Sequence, residues 1–411
     1  MQADVHQQTF PNGLTLLAES MPHVRSAAFN FLVPAGCAYD PPGQEGLATV
    51  LTDLITRGAG ERDSRELALA LDNLGLDRDE SVGSLNMRFY GATLSRNLPA
   101  ALALYADILR RPHLPEEDLE PAQMLALQDL HGLEDSPGQK VMVELRRHYY
   151  PHPLSKDRFG TAEGIRNVTI DAVRRQFQRR FGPKGTILAV AGNVEWGPLC
   201  DLVGRLFGDW SGAPEVLNSF GPNAVVRGHV HKDTEQTHIA LSWPSVPFGH
   251  PDYYAARGAE GVLSGGMSAR LFEEVREKHG LCYSIYAFHE TFKDRGSMLC
   301  HTATVADRAP QTLKLTLREL KRLEEGIEED EVERVRAGLK AALIMQGEST
   351  SARAGAIASD WYYLGRVRSL DEIQAAIDGL TPEGILEHVR RYPAKDFALV
   401  TLGPKELELP E

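Results

Sequence analysis

Ser264-Gly-Gly-Met-Ser-Ala-Arg-Leu-Phe-Glu-Glu-Val-Arg-Glu-Lys-His-Gly-Leu-Cys-Tyr-Ser-Ile-Tyr286 reads as a helix, a stop and a strand in succession. Gly265 and Gly266 break the preceding segment. Ser268 is placed to cap a helix, and Leu271, Phe272 and Val275 recur at helical spacing. His279 falls in the last turn and Gly280 supplies the stop. From Leu281 the pattern alternates, with Tyr, Ile, Tyr and Phe on a strand-like period. The spacing predicts Arg276 at a helix end and Tyr283 at the start of the next strand. A five-donor planar fork and a phenolic hydroxyl can then converge on one spot from two rigid elements.

The order of elements around this stretch occurs twice in the chain. Phe10-Pro-Asn-Gly13 is a tight-turn signal between extended segments, and Ser26–Val33 is a strand pattern. Gly46–Thr56 has a helical period, and Asp63 with Glu66 has capping-box spacing. Thr169 caps a further helix, and Thr186–Ala191 is a short buried strand. After residue 225 come two strands, helices, a hairpin turning at Lys293–Gly296, more helices and a closing strand, Phe397–Leu402. Pro99 and Pro310, Leu114 and Ile327, and Gly192 and Gly403 sit in matching sequences separated by 211, 213 and 211 positions. A near-constant offset over most of the chain is the mark of a duplicated unit. The aperiodic, two-proline segment Ala213–Asn223 is the natural joint. The expected organisation is residues 1–212, a linker at 213–224, and residues 225–411. Sequential hairpins with grouped helices predict α+β halves, each a mostly antiparallel sheet with helices packed on one face.

Composition narrows the function classes. The chain has 411 residues and a formal net charge of −13, which argues against nucleic acid and against anionic membrane surfaces. No apolar run reaches membrane-spanning length, and Met1-Gln-Ala-Asp-Val-His lacks the basic and apolar regions of a secretory signal. The four cysteines, Cys37, Cys200, Cys282 and Cys300, are too sparse for a disulfide framework or a zinc knuckle, so reduced thiols and a cytoplasmic location are expected.

Phe10-Pro-Asn-Gly-Leu, Gly46-Leu-Ala, Leu133-Glu-Asp-Ser-Pro137, Tyr150-Pro-His-Pro-Leu154, Ala189-Val-Ala-Gly-Asn-Val194 and the stretch from Gly265 to Tyr286 occur in this order. Together with the duplicated halves they resemble the M16 metallopeptidase family, which includes pitrilysin, insulysin and the mitochondrial processing peptidases. The resemblance covers nearly the whole chain and implies the M16/LuxS-like α+β fold. Active members of that family carry H-x-x-E-H on the helix that begins Gly-Leu-Ala. The two His bind zinc, the Glu activates water, and a downstream Glu is the third ligand. Here those positions read Thr49-Val-Leu-Thr52-Asp53, the downstream slot holds Asp129, and an acidic position seven residues earlier is Ala122. Two Thr and two Asp do not make a competent tetrahedral zinc site. His229 and His231 share a strand face without a third ligand nearby.

The family's second functional element, an Arg and a Tyr that hold substrate and stabilise the tetrahedral intermediate, matches Arg276 and Tyr283. The expectation is a non-catalytic, substrate-binding subunit. Its partner would be an H-x-x-E-H homologue of the same fold that hydrolyses peptides and holds the zinc, with no metal or cofactor in this chain. The alternatives are a catalytically silent scaffold or binding protein, and a peptidase using a degenerate hard-metal site at Asp53 and Asp129.

Overall fold

In the computed structural model, which describes residues 5–217 and 220–410, two sheets repeat one strand order. β1 (Val5–Thr9), β2 (Thr15–Ser20), β3 (Ser26–Val33), β4 (Asp77–Val82), β5 (Met87–Leu94) and β6 (Ile187–Gly192) form a six-stranded sheet, β1-β2-β6-β3-β5-β4. β7 (Arg227–His231), β8 (Gln236–Ser245), β9 (Ile285–Thr291), β10 (Gly296–Val305) and β11 (Ala398–Gly403) form a five-stranded sheet, β7-β11-β8-β10-β9. The second order is the first with β1 removed and each strand replaced by its counterpart. Even the parallel pairs correspond: β2 with β6 and β7 with β11, every other pairing being antiparallel. The halves are duplicates in topology, and the fold is α+β as expected.

Each sheet buries its alternate side chains on two faces. In the first sheet Leu16, Phe29, Phe31, Phe89 and Val190 face the helices of their own half. Tyr105 and Leu102, from the helix Leu98–Arg110, pack against them. Fully burying one such side chain is worth about 1.5–3 kcal/mol, so this layer dominates the stability of the half. The second sheet repeats the arrangement with Ile239, Leu241, Met298, Cys300 and Leu399.

The opposite faces are covered by an exchange. Leu17, Leu32, Ile187 and Ala189 pack against Ile357 and Ala358, which belong to the helix Thr350–Leu364 from the C-terminal half of the sequence. The helix Pro137–Tyr149, from the N-terminal half, packs on β8, β10 and β11. The compact units are therefore Met1–Gly132, Lys156–Leu217 and Met345–Leu370 on the one hand, and Leu133–Ser155, Asn218–Ile344 and Asp371–Glu411 on the other. A single cut in the linker separates the duplicated sequences but not the packed units. The described part of the linker has no helix or strand; Asn218 and Ser219 lie outside the described residues.

Matched ion pairs hold the exchanged helices. Arg353 donates to both oxygens of Glu19 on β2 at 2.5–3.0 Å, with side-chain exposures of 2 % and 3 %. Arg146 donates to Glu290 on β9 at 2.8–3.2 Å, with Tyr150 Oη donating to the same carboxylate at 2.7 Å, at exposures of 34 % and 23 %.

Candidate functional site

The helix Leu47–Leu54 carries Thr49, Thr52 and Asp53, the positions at which the resemblance implies a zinc motif. Gly46 has φ of 108°, in the left-handed region that favours glycine, and a Cβ there would lie 2.7 Å from Ile165 Cγ1. Asp40 caps the helix by accepting from Gly46 N at 2.8 Å and Ala48 N at 2.9 Å. Burial pushes the Asp40 carboxyl up to about 7, against the pull of those two N–H groups and Lys156. Leu47, Ala48, Val50, Leu51 and Leu54 face the core, leaving Thr49, Thr52 and Asp53 on the outer face.

Each of these three is already engaged. Thr49 Oγ1 donates to the Arg158 carbonyl at 2.5 Å, and Thr52 Oγ1 donates back to Ala48 O at 2.8 Å. Asp53 accepts from Arg57 Nε at 2.7 Å, and Arg57 also lies 3.4 Å from Asp118. Asp129 is 60 % exposed and faces Arg158 at 3.9 Å. Ala122 is buried in the core. The residues at which the resemblance implies zinc ligands are two hydroxyls already donating to carbonyls and two carboxylates each facing a guanidinium. That donor set does not fit zinc, which takes His, Cys and free carboxylates, and a cation beside Arg57 or Arg158 would be repelled. Among the described residues, no group of three or more His, Cys, Asp and Glu could hold a metal ion. His229 Nδ1 pairs with Thr401 Oγ1 at 2.9 Å, and its ring lies 6.5 Å from that of His231. The four cysteines are free.

The Arg276 segment differs from its sequence-based expectation in three ways. Ser268 does not cap the helix: it lies in a turn closed by Ala269 N donating to Gly266 O. Phe272–Lys278 is π-helical rather than α-helical, a form with i→i+5 bonds found mostly as short turns, often at functional sites. Tyr283 lies in the connection before β9, which begins at Ile285, and not on the strand. Gly280, with φ of 57°, ends the helix as expected.

The structure brings the two residues together nevertheless. The Arg276 guanidinium lies over the Tyr283 ring at 5.2 Å and over the Phe272 ring at 4.4 Å. Its Nε stands 3.6 Å from Glu277 Oε1, while its two Nη groups have no hydrogen-bond partner among the described residues. Tyr283 is 83 % exposed. Planar donors and a phenol are thus held at the surface with their hydrogen-bonding capacity unspent, as a ligand-binding pair requires. Arg158 and Asp40 do not stand out in the sequence, where Phe272 reads as one more apolar residue of a helix; Asp40, six residues before Gly46, has the spacing of no standard cap.

Comparison with known proteins agrees with the fold. The family model "Insulinase (Peptidase family M16)" matches residues 15–161, and "Peptidase M16 inactive domain" matches residues 167–339. An uncharacterized zinc protease of Rickettsia bellii is 26% identical over 411 residues, covering 99% of both chains. One of Bacillus subtilis is 27% identical over 405 residues, covering 97% of this chain and 98% of its own. The crystal structure of a peptidase M16 inactive domain from Pseudomonas fluorescens shares the fold with a TM-score of 0.89 at 20% identity, over 99% of this chain and 100% of its own. A protease from Helicobacter pylori superposes with the same TM-score over 97% of this chain and 99% of its own. The chain belongs to the M16 metallopeptidase family. No helix of the described residues is long and apolar enough to cross a membrane.

Proposed function

We propose that this chain is the Arg/Tyr subunit of a two-chain M16 peptidase, working beside an H-x-x-E-H homologue of the same fold that holds the zinc. One asymmetry carries this reading. Thr49, Thr52 and Asp53 are hydrogen-bonded within the chain and Asp129 faces Arg158, whereas Arg276 and Tyr283 are stacked together with the Arg276 Nη groups and the Tyr283 hydroxyl unpaired among the described residues. Arg276 holds a backbone carbonyl of a bound peptide through its Nη groups. Tyr283 Oη donates to the oxygen on which charge develops as the peptide bond is attacked. Donors fixed in place before the charge appears contribute most, because nothing needs to reorganise. The chain works in the cytoplasm, and its own cofactor requirement is nil.

The test is to purify this chain and an H-x-x-E-H homologue encoded beside it and to assay peptide hydrolysis by each alone and by the mixture. The expected result is no hydrolysis and no stoichiometric zinc for this chain alone, and a mixture far more active than either chain. A mixture no more active than the homologue by itself favours a silent scaffold. One zinc per chain, lost on changing Asp53 or Asp129, favours a hard-metal site.

A further inference from the structure

We infer that Phe272 is a positioning residue for Arg276, its ring holding the plane of the guanidinium. The inference rests on the Arg/Tyr reading for its catalytic consequence, though not for its geometry. Arg276 is one turn beyond Phe272 and seven residues before Tyr283, and its guanidinium carbon lies over both rings. A guanidinium is attracted to the face of an aromatic ring and loses little hydration on stacking there. Two rings and the Glu277 carboxylate near Nε restrain the plane of the fork, and its Nη groups have no hydrogen-bond partner among the described residues. The side chain is 33% exposed, so without the rings it would sample many rotamers in water.

Phe272 is itself held. It is half-buried, between Leu271 and Val275 of the core, and its segment is fixed at both ends. Arg270 at the start donates to both Glu331 oxygens at 2.6 Å, and Leu281 N at the far end donates to Val275 O at 3.1 Å. The backbone that carries the ring is therefore fixed, and the ring lies 4.4 Å from the guanidinium it faces. Its role is orientation, since it carries no polar group that could act on a peptide.

The experiment compares Phe272→Leu, Phe272→Tyr, Arg276→Ala and the Phe272→Leu/Arg276→Ala double variant. Each is first checked for folding and assembly by thermal unfolding and size exclusion. In the free chain, arginine side-chain NMR reads the ring-current shift of Arg276, assigned by its loss in Arg276→Ala. The shift is expected to shrink in Phe272→Leu and to persist in Phe272→Tyr. In the assembled complex, Phe272→Leu is expected to lower kcat roughly three- to thirtyfold, the span of one cation–π contact, with Phe272→Tyr restoring it. It should add nothing on top of Arg276→Ala. An unmoved Arg276 resonance in Phe272→Leu overturns the inference, and so does an equal loss of rate with and without Arg276. If Arg276→Ala itself leaves turnover unchanged, the Arg/Tyr reading fails, and the NMR arm alone then decides whether Phe272 orders the arginine.

Discussion

The two halves fill one slot of their shared topology in opposite ways. Between β3 and β4 the N-terminal half places the α-helix Ser64–Asn73, opened by a capping box in which Asp63 and Glu66 satisfy each other's backbone N–H groups. Between β8 and β9 the C-terminal half places the π-helical Phe272–Lys278, with no side-chain cap. The preceding helices contrast as well. Leu47–Leu54 turns Thr49, Thr52 and Asp53 into internal hydrogen-bonding partners. The segment after Tyr253–Ser264 leaves Tyr283 exposed and Arg276 partly so, with no hydrogen-bond partner for its Nη groups among the described residues. A duplicated fold can thus spend the polar side chains of one copy on internal hydrogen bonds and leave those of the other partly exposed.

Changes that remove a buried partner test this difference most strongly. Glu19→Gln leaves the Arg353 guanidinium charged and enclosed, and should destabilise the N-terminal unit by about 3–5 kcal/mol. Glu290→Gln removes the matching pair at a wetter site and should lose only about 1–3 kcal/mol. Denaturant unfolding of the two variants reads both, and equal losses would mean that the exchanged helices are held alike.

Titration should divide the units next. Burial holds His289, His301 and His388, all on the C-terminal unit, down to about 4, so they fold uncharged. The unfolded chain binds protons at these histidines below about 6.5 and the folded chain does not, so their stability is lost as pH falls from there to about 4. Asp40 runs the other way. Its folded carboxyl titrates near 7 and its unfolded one near 3.8, so its contribution falls as pH rises between those values. Three histidines outweigh one aspartate, and thermal unfolding between pH 4 and 7 should show a net loss on acidification. Asp40→Asn should steepen that loss; an unchanged slope would mean that Asp40 is not held protonated.

The smallest effect concerns the caps. Asp63→Ala should cost about 1 kcal/mol, whereas Ser268→Ala should fall within about 0.5 kcal/mol of wild type.

Much of this was legible in the sequence, for local reasons. The strand Ser26–Val33, the Asp63–Glu66 box, the Thr169 cap and the stop at Gly280 are each written in a few neighbouring residues. What escaped depends on distant partners. β4, Asp77-Arg-Asp-Glu-Ser-Val82, has too many charges to read as a strand. It is held by pairing with β5 and by Tyr105 Oη donating to Glu80 at 2.9 Å. The exchange of Pro137–Tyr149 and Thr350–Leu364 was hidden because an amphipathic period shows that a helix packs, not on which sheet. The π-turn was hidden because apolar spacing at i, i+3 and i+4 is the same whether the carbonyls bond four or five residues on. The spacing around Gly280 and the resemblance together point to Arg276 and Tyr283, whereas the ring beneath the arginine shows only in the folded chain.

The most direct test of the Arg/Tyr assignment is the turnover of the assembled two-chain peptidase carrying Tyr283→Phe, measured on complexes verified intact by size exclusion. The substitution removes one oxygen from a residue that is 83 % exposed and keeps the ring under Arg276. A donor to the developing charge should be worth roughly 2–4 kcal/mol, so kcat should fall on the order of 10²-fold with assembly unchanged. Wild-type kcat in that intact complex would contradict the assignment and return the pair to a structural role.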